Sequence, residues 1–211
     1  MASYYFLTAQ LPCLSYGQTA PMTLSRFREL CRENLTREDL ALLELCALDP
    51  EPLDPEIPPE ERGASYAEMP PETSSDFINK WRKWERALRL NLAKGRSQQL
   101  KRDAAALDAP DTFQDAQAAA KAALAIESPL EAELSLDKAR WDAIEGFQGT
   151  AYFHRDNIFA YLLKLLLLER RASFKTEEGF MEYKSLYASI MESSDSGAIP
   201  LEAMSTTGEA K

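Results

Sequence analysis

The chain has 211 residues, 45% of them hydrophobic and 27% charged, with a formal net charge of -10. That length holds one domain, or one domain with an appendage, and buries enough surface to need no disulfide or metal staple. Eight glycines and an abundance of Ala, Leu, Glu and Arg favour helices over hairpin-rich sheets, so the expected class is all-α. Cys13, Cys31 and Cys46 are odd in number and scattered, without a CxxC pair. Such a set argues against a zinc site or a disulfide framework and for a reducing compartment.

In chain order, Tyr4 to Leu11 reads as a short strand or a first helical turn, undecided at this length. No signal peptide is expected, because the apolar opening lacks a basic leader and soon meets Pro12. Thr23 is a predicted N-cap for a helix to about Glu33, with Leu24, Phe27, Leu30 and Cys31 on one face. Thr36 with Asp39 forms an acidic capping box opening a second helix through Leu40, Leu43 and Leu45. Residues 49–75 hold seven of the 12 prolines among many carboxylates, the composition of an acidic linker or extended loop.

From about Ser75 a helix is predicted that runs to about Leu107. Phe77, Trp81, Trp84, Leu88 and Leu92 share one stripe, and Gly95 continues it, implying a close crossing with another helix. An alanine-rich helix over about Thr112 to Glu127 ends before Pro129. Another over Ser135 to Phe147 carries Leu136, Trp141 and Ile144. Asp156 is the expected cap of a nearly all-apolar helix in which Lys164 alone interrupts Ile158 to Leu168. That run is shorter than the ~18 to 20 residues needed to span a bilayer. Thr176 caps a last amphipathic helix bearing Phe180, Tyr183, Tyr187, Ile190 and Met191. The expected organisation is a single helical domain over 1–192 and a flexible tail over 193–211.

No catalytic, cofactor or metal site emerges. His154 is the only histidine and reads as a capping or surface residue. No GxSxG, HExxH or GxxxxGK[ST] pattern is present, so no enzyme activity is expected. Charge is distributed unevenly instead. Between Ile78 and Arg102 stand nine basic residues and one acid, Glu85, so the segment is about +8 and the remainder about -18. Arg82, Arg86, Arg89 and Arg96 are placed opposite the apolar stripe, with Lys83, Lys94 and Lys101 beside them. Three uses compete: docking on an acidic protein partner, neutralisation by the chain's own acids, and nucleic-acid binding. The last is disfavoured because the rest of the chain would repel phosphate and both tryptophans belong to the apolar stripe.

The segment "FHRDNIFAYLLKLLLLERRASFKTEEGFMEYKSLYASI" resembles the end of the C/d-type subunits of rotary V/A-type ATPases. There a Tyr-Leu-Leu-Lys helix runs into Glu-Arg, a turn with a Glu-Gly step and a final amphipathic helix. The stretches "YYFLTAQLPCLS", "LSRFRELCRENLTREDLALLELC" and "WRKWERALRLNLAKGR" resemble a shorter bacterial version, of the kind encoded beside other V-type ATPase components. The resemblance implies a compact, non-catalytic helical socket between the central stalk and the membrane proteolipid ring. It would be cytoplasmic and peripheral to the inner membrane when assembled, with Arg82, Arg86, Arg89 and Arg96 as docking residues. The chain is shorter than the three-part C/d-type proteins, which leaves open whether it replaces such a protein or assists it. The alternative is a free-standing helical adaptor or regulator that uses helix 78–102 on another acidic partner.

Overall fold

The computed structural model describes residues 4–48, 72–101, 113–150 and 152–174. The chain divides into a unit of Met1–Arg171 and a second of Ala172–Lys211, of which only 172–174 fall among the described residues. The acidic stretch 49–71, the predicted helix after Thr176 and the boundary at 192 lie outside them.

Among the described residues all regular structure is helical: α1 (Tyr5–Gln10), α2 (Leu24–Asn34), α3 (Arg37–Glu44), α4 (Asp76–Gln99), α5 (Gln114–Leu124), α6 (Pro129–Gln148) and α7 (Arg155–Ser173). The all-α expectation therefore holds, and the ambiguous Tyr4–Leu11 stretch resolves into a helix. Thr23 caps α2 by accepting from the Arg26 amide, and Thr36 caps α3 by accepting from the Asp39 amide, both as expected. The start of α2 has a second cap from far along the chain, since Glu169 of α7 accepts from the Leu24 amide at 3.0 Å. A carboxylate there meets both an orphan donor and the positive helix end.

Several boundaries differ from those that the sequence predicts, the alanine-rich helix α5 ending at Leu124 rather than near Glu127, and three have evident local causes. Helix α4 stops at Gln99 instead of Leu107, because Lys101 adopts a left-handed φ of 54° and its amide turns back to the Gln98 carbonyl at 3.1 Å. Glycine usually marks such a stop, and none stands here. Helix α6 begins at Pro129, not near Ser135. Ser128 caps it, and proline at the first helical position forfeits only a donor that would be orphaned anyway. Asp156 is not the cap of α7 but lies in its first turn, where it accepts from the Ser75 hydroxyl at 2.8 Å. Ser75 in turn caps α4, so one hydroxyl–carboxylate bond joins the starts of two long helices.

Helix α4 packs on α5 and α6, α5 also meets α6, and α1 lies against α2. The α4 stripe supplies Phe77, Ile78, Trp81, Trp84, Leu88 and Leu92 to the core, and α7 supplies nine buried residues. Trp81 and Trp84 stack with centroids 5.8 Å apart, and each indole N–H finds an acceptor: the Ala47 carbonyl and the Asp115 carboxylate. Each indole removes about 200 Å² from water, worth roughly 5 kcal/mol at about 25 cal/mol per Å². Cys31 and Cys46 are buried in the same core, which pushes both thiols up to about 12, whereas Cys13 is exposed. Gly95 marks the close crossing, since a Cβ built there would lie 2.2 Å from Leu124 Cδ1 of α5.

A polar clamp gathers the ends of the bundle. Buried Asp39 accepts from the Tyr4 hydroxyl, and its other oxygen lies 2.9 Å from Arg155 Nη1. Arg155 also donates to the Ser74 carbonyl at 2.6 Å, so the start of α1, α3, the approach to α4 and the start of α7 share one node. Burial alone would raise the Asp39 pKa, but hydrogen bonds from Tyr4, Arg155 and Thr36 outweigh it and hold the carboxyl below its ordinary 3.8.

Two outcomes are expected. Gly95→Leu should cost about 1–3 kcal/mol in chemical denaturation, with part regained when Leu124→Ala is added; Gly95→Ala should cost less, since Leu124 Cδ1 is the end of a flexible side chain. The Asp39 contribution is complete above the unfolded pKa near 3.8 and is lost as pH falls through the lowered folded value. Asp39→Asn should therefore melt below the wild type at pH 7, and the gap should close as the solution is acidified below about pH 4.

Candidate functional site

The long helix α4 carries the strongest concentration of positive charge in the chain, and its four arginines expected to dock a partner have different surroundings. Arg89 turns toward the protein: Nε lies 2.8 Å from Glu85 Oε1 and Nη2 donates to the Leu48 carbonyl at 2.6 Å. It sits beside the apolar stripe rather than opposite it. Arg86 is half-buried, with Nε shielded from water. Arg82 is half-buried near Cys46, whose thiolate its charge would favour. Arg96 is exposed, two residues beyond Lys94 and followed by exposed Leu100 and Lys101. Lys80 and Lys83 pair with Asp76 and Glu72 at 3.3 and 2.7 Å. Among the described residues, Lys94, Arg96 and Lys101 at the C-terminal end of α4 form no ion pair, and Arg96 and Lys101 are exposed there, where cations also complement the helix dipole. The Glu72–Lys83 pair is one instance of the internal neutralisation expected from the acidic approach segment.

Glu85, in the sequence merely the one acid of a basic run, is buried and forms the centre of an ionic network. Arg140 of α6 donates to it from Nη2 at 3.1 Å and from Nε at 3.2 Å, while Arg140 Nη1 lies 3.0 Å from Asp137 Oδ1. From α7, Arg170 reaches Glu133 at 3.1 Å and approaches Asp137 at 3.9 Å. With Arg89, three carboxylates and three guanidiniums thus join α4, α6 and α7 with their formal charges balanced. Burial disfavours the Arg140 charge, but Glu85 and Asp137 more than compensate and keep it cationic. Asp137 lies only 1% exposed, and burial pushes its carboxyl above the ordinary range against the pull of Arg170 and Arg140. The i,i+4 pair Glu85–Arg89 and the i,i+3 pair Asp137–Arg140 are visible in the sequence. Their meeting across two helices is not.

A second polar seam runs between α6 and α7. Lys164, the single interruption in the apolar run, places Nζ 5.1 Å from the Trp141 ring centre, 3.2 Å from Glu145 and 3.1 Å from Gln148. Trp141 donates to the same Glu145 carboxylate at 2.9 Å. Tyr16 meets the Trp141 indole edge-on and donates to the Leu134 carbonyl at 2.9 Å, with Arg171 over its ring. His154, expected to be a capping or surface residue, lies just before α7, where its Nδ1 accepts from the Asp156 amide at 3.5 Å. Among the described residues no group of three His, Cys, Asp or Glu is placed to hold a metal ion. Nor is any helix among them long and apolar enough to cross a membrane.

Breaking the network should be costlier than abolishing it. Arg140→Met removes the hydrogen bond to buried Asp137 and leaves Glu85 to Arg89, and should cost about 3–5 kcal/mol, a large share of the roughly 5–15 kcal/mol that holds a domain together. Adding Glu85→Leu and Asp137→Leu to that variant should restore much of the loss in urea denaturation.

No family model matches the chain, and no curated protein or solved structure matches it either.

Proposed function

We propose that this protein is a non-catalytic structural component of a rotary V/A-type ATPase, a C/d-like helical socket between the central stalk and the membrane ring. The observation that carries the reading is the use made of the residues on which the resemblance rests. The Tyr-Leu-Leu-Lys…Glu-Arg segment forms α7, buried on most of its circumference. Its polar members have structural work: Tyr161 donates to the Pro12 carbonyl, Lys164 ties α7 to α6, Glu169 caps α2 and Arg170 closes the ionic network. Such a motif serves a rigid body that transmits force, which needs interlocked helices and charged docking ends. The docking end is the terminus of α4, with Arg96, Lys94 and Lys101, and its partner is an acidic surface on the stalk or on loops of the ring. Of the four arginines, Arg96 carries most of this contact. Arg82 and Arg86 stand further back, and Arg89 holds α4 to Glu85 and Leu48.

Affinity purification of the full chain with identification of the bound proteins tests the proposal. Rotary ATPase components should be recovered, in amounts that fall as ionic strength rises. Arg96→Glu with Lys101→Glu should reduce that recovery about tenfold or more with no change in helicity, while Arg89→Glu should lower thermal stability first. Recovery of a different acidic partner through the same residues would favour the free-standing adaptor. Recovery unaffected by the charge reversal would overturn this docking end.

A further inference from the structure

An apolar surface lies at the other end of α4. Tyr5 and Phe6 of α1 are 60% and 72% exposed, and Tyr152 and Phe153, in the turn before α7, are 66% and 43% exposed. The two pairs are one patch, because the Tyr5 and Phe153 rings lie 4.3 Å apart and the Tyr4 amide donates to the Phe153 carbonyl at 2.8 Å. Helix α1 is held in this position by the Tyr4–Asp39 bond, so the exposed rings are mounted on a fixed element. The neighbouring charges are occupied elsewhere: Arg155 with Asp39 and Ser74, Asp156 with His154 and Ser75.

We infer that this patch, Tyr5, Phe6, Tyr152 and Phe153, is the centre of a two-fold self-association surface whose occupant is a second copy of the chain. Area is the first argument. At about 200 Å² for a whole aromatic side chain, the four rings present roughly 500 Å² of apolar surface. A standard interface covers about 800 Å² per partner, and homodimer interfaces are about 65% apolar, so the patch supplies nearly the whole apolar share of one. Charge is the second. Two molecules of net charge -10 repel each other over most of their surfaces, and a patch of four uncharged side chains is a place where identical surfaces meet without burying like charges. Aromatic rings in such a centre are also the residues that carry most binding energy in interfaces. The surface is independent of the proposed docking end. Ser75 at the start of α4 is bonded to Asp156 beside the patch, whereas Arg96 lies about 20 residues further along the helix, about 30 Å away at 1.5 Å per residue.

Sedimentation equilibrium of the full chain at several concentrations tests the inference. The wild type should show a concentration-dependent monomer–dimer equilibrium that is maintained or strengthened by salt, as repulsion between the acidic copies is screened. Phe6→Ser with Tyr152→Ser, both at exposed positions that leave the Tyr5–Phe153 contact in place, should weaken it at least about tenfold with an unchanged circular dichroism spectrum and melting temperature. A wild type that stays monomeric up to about 200 µM, well above the range of a specific aromatic-centred interface, would overturn it. So would a dimer that the double variant leaves intact. Recovery of acidic partners through Arg96 is read separately, because that contact weakens with salt while this one does not.

Discussion

The fold depends on the buried pairing of Arg140 with Glu85 and Asp137. Two carboxylates from different helices are brought into an apolar interior, and a single guanidinium between them hydrogen-bonds to both. Desolvating those ions is expensive, and attraction offsets the cost only when geometry is good. Four hydrogen bonds within 3.4 Å supply that geometry. Hydrophobic contact alone allows helices to slide and rotate by small amounts with little change in buried area. A planar guanidinium between two fixed carboxylates does not, so the network determines the axial register of α4 against α6, and Arg170 extends the constraint to α7.

The positive charge of α4 is accordingly divided. Part of it serves the interior: Arg89 completes the coordination of Glu85 and anchors the Leu48 carbonyl, at the end of the segment that follows α3. Part neutralises acids on the approach to the helix. Arg82 and Arg86 are half-buried along the middle of the helix, and Arg96 in its last turn is exposed. One helix therefore holds its cations in two settings, paired toward its start and middle and solvent-facing beyond Leu92.

Periodicity made much of this legible. The stripe from Phe77 to Leu92, the caps at Thr23 and Thr36 and the close crossing at Gly95 follow from residue types at helical spacing, because each is a local property of the chain. The differences have local causes too. Pro129 is a helix breaker or a helix starter depending on which side of it the helix lies, and Ser128 selects the second. Lys101 ends α4 in a conformation that glycine normally signals. Asp156 has the right chemistry for a cap but is used within the first turn, against Ser75. The clamp around Asp39 and the ionic network were out of reach because they join residues far apart in the chain, 116 positions for Asp39 and Arg155 and 55 for Glu85 and Arg140. Nothing in a one-dimensional pattern distinguishes a glutamate that meets a distant arginine from one that meets water. For the candidate site the basic run was evident, but the division between inward and outward arginines required the neighbouring helices.

The distribution of the three thiols has a practical corollary. Cys31 and Cys46 are sealed in the core and kept protonated, so neither offers a nucleophilic thiolate at neutral pH, whereas Cys13 is open to solvent. The folded chain thus presents one chemical handle for maleimide or a fluorophore, without any cysteine having to be removed. Unfolding would uncover the other two, so the number of reactive thiols counts the intact cores in a sample.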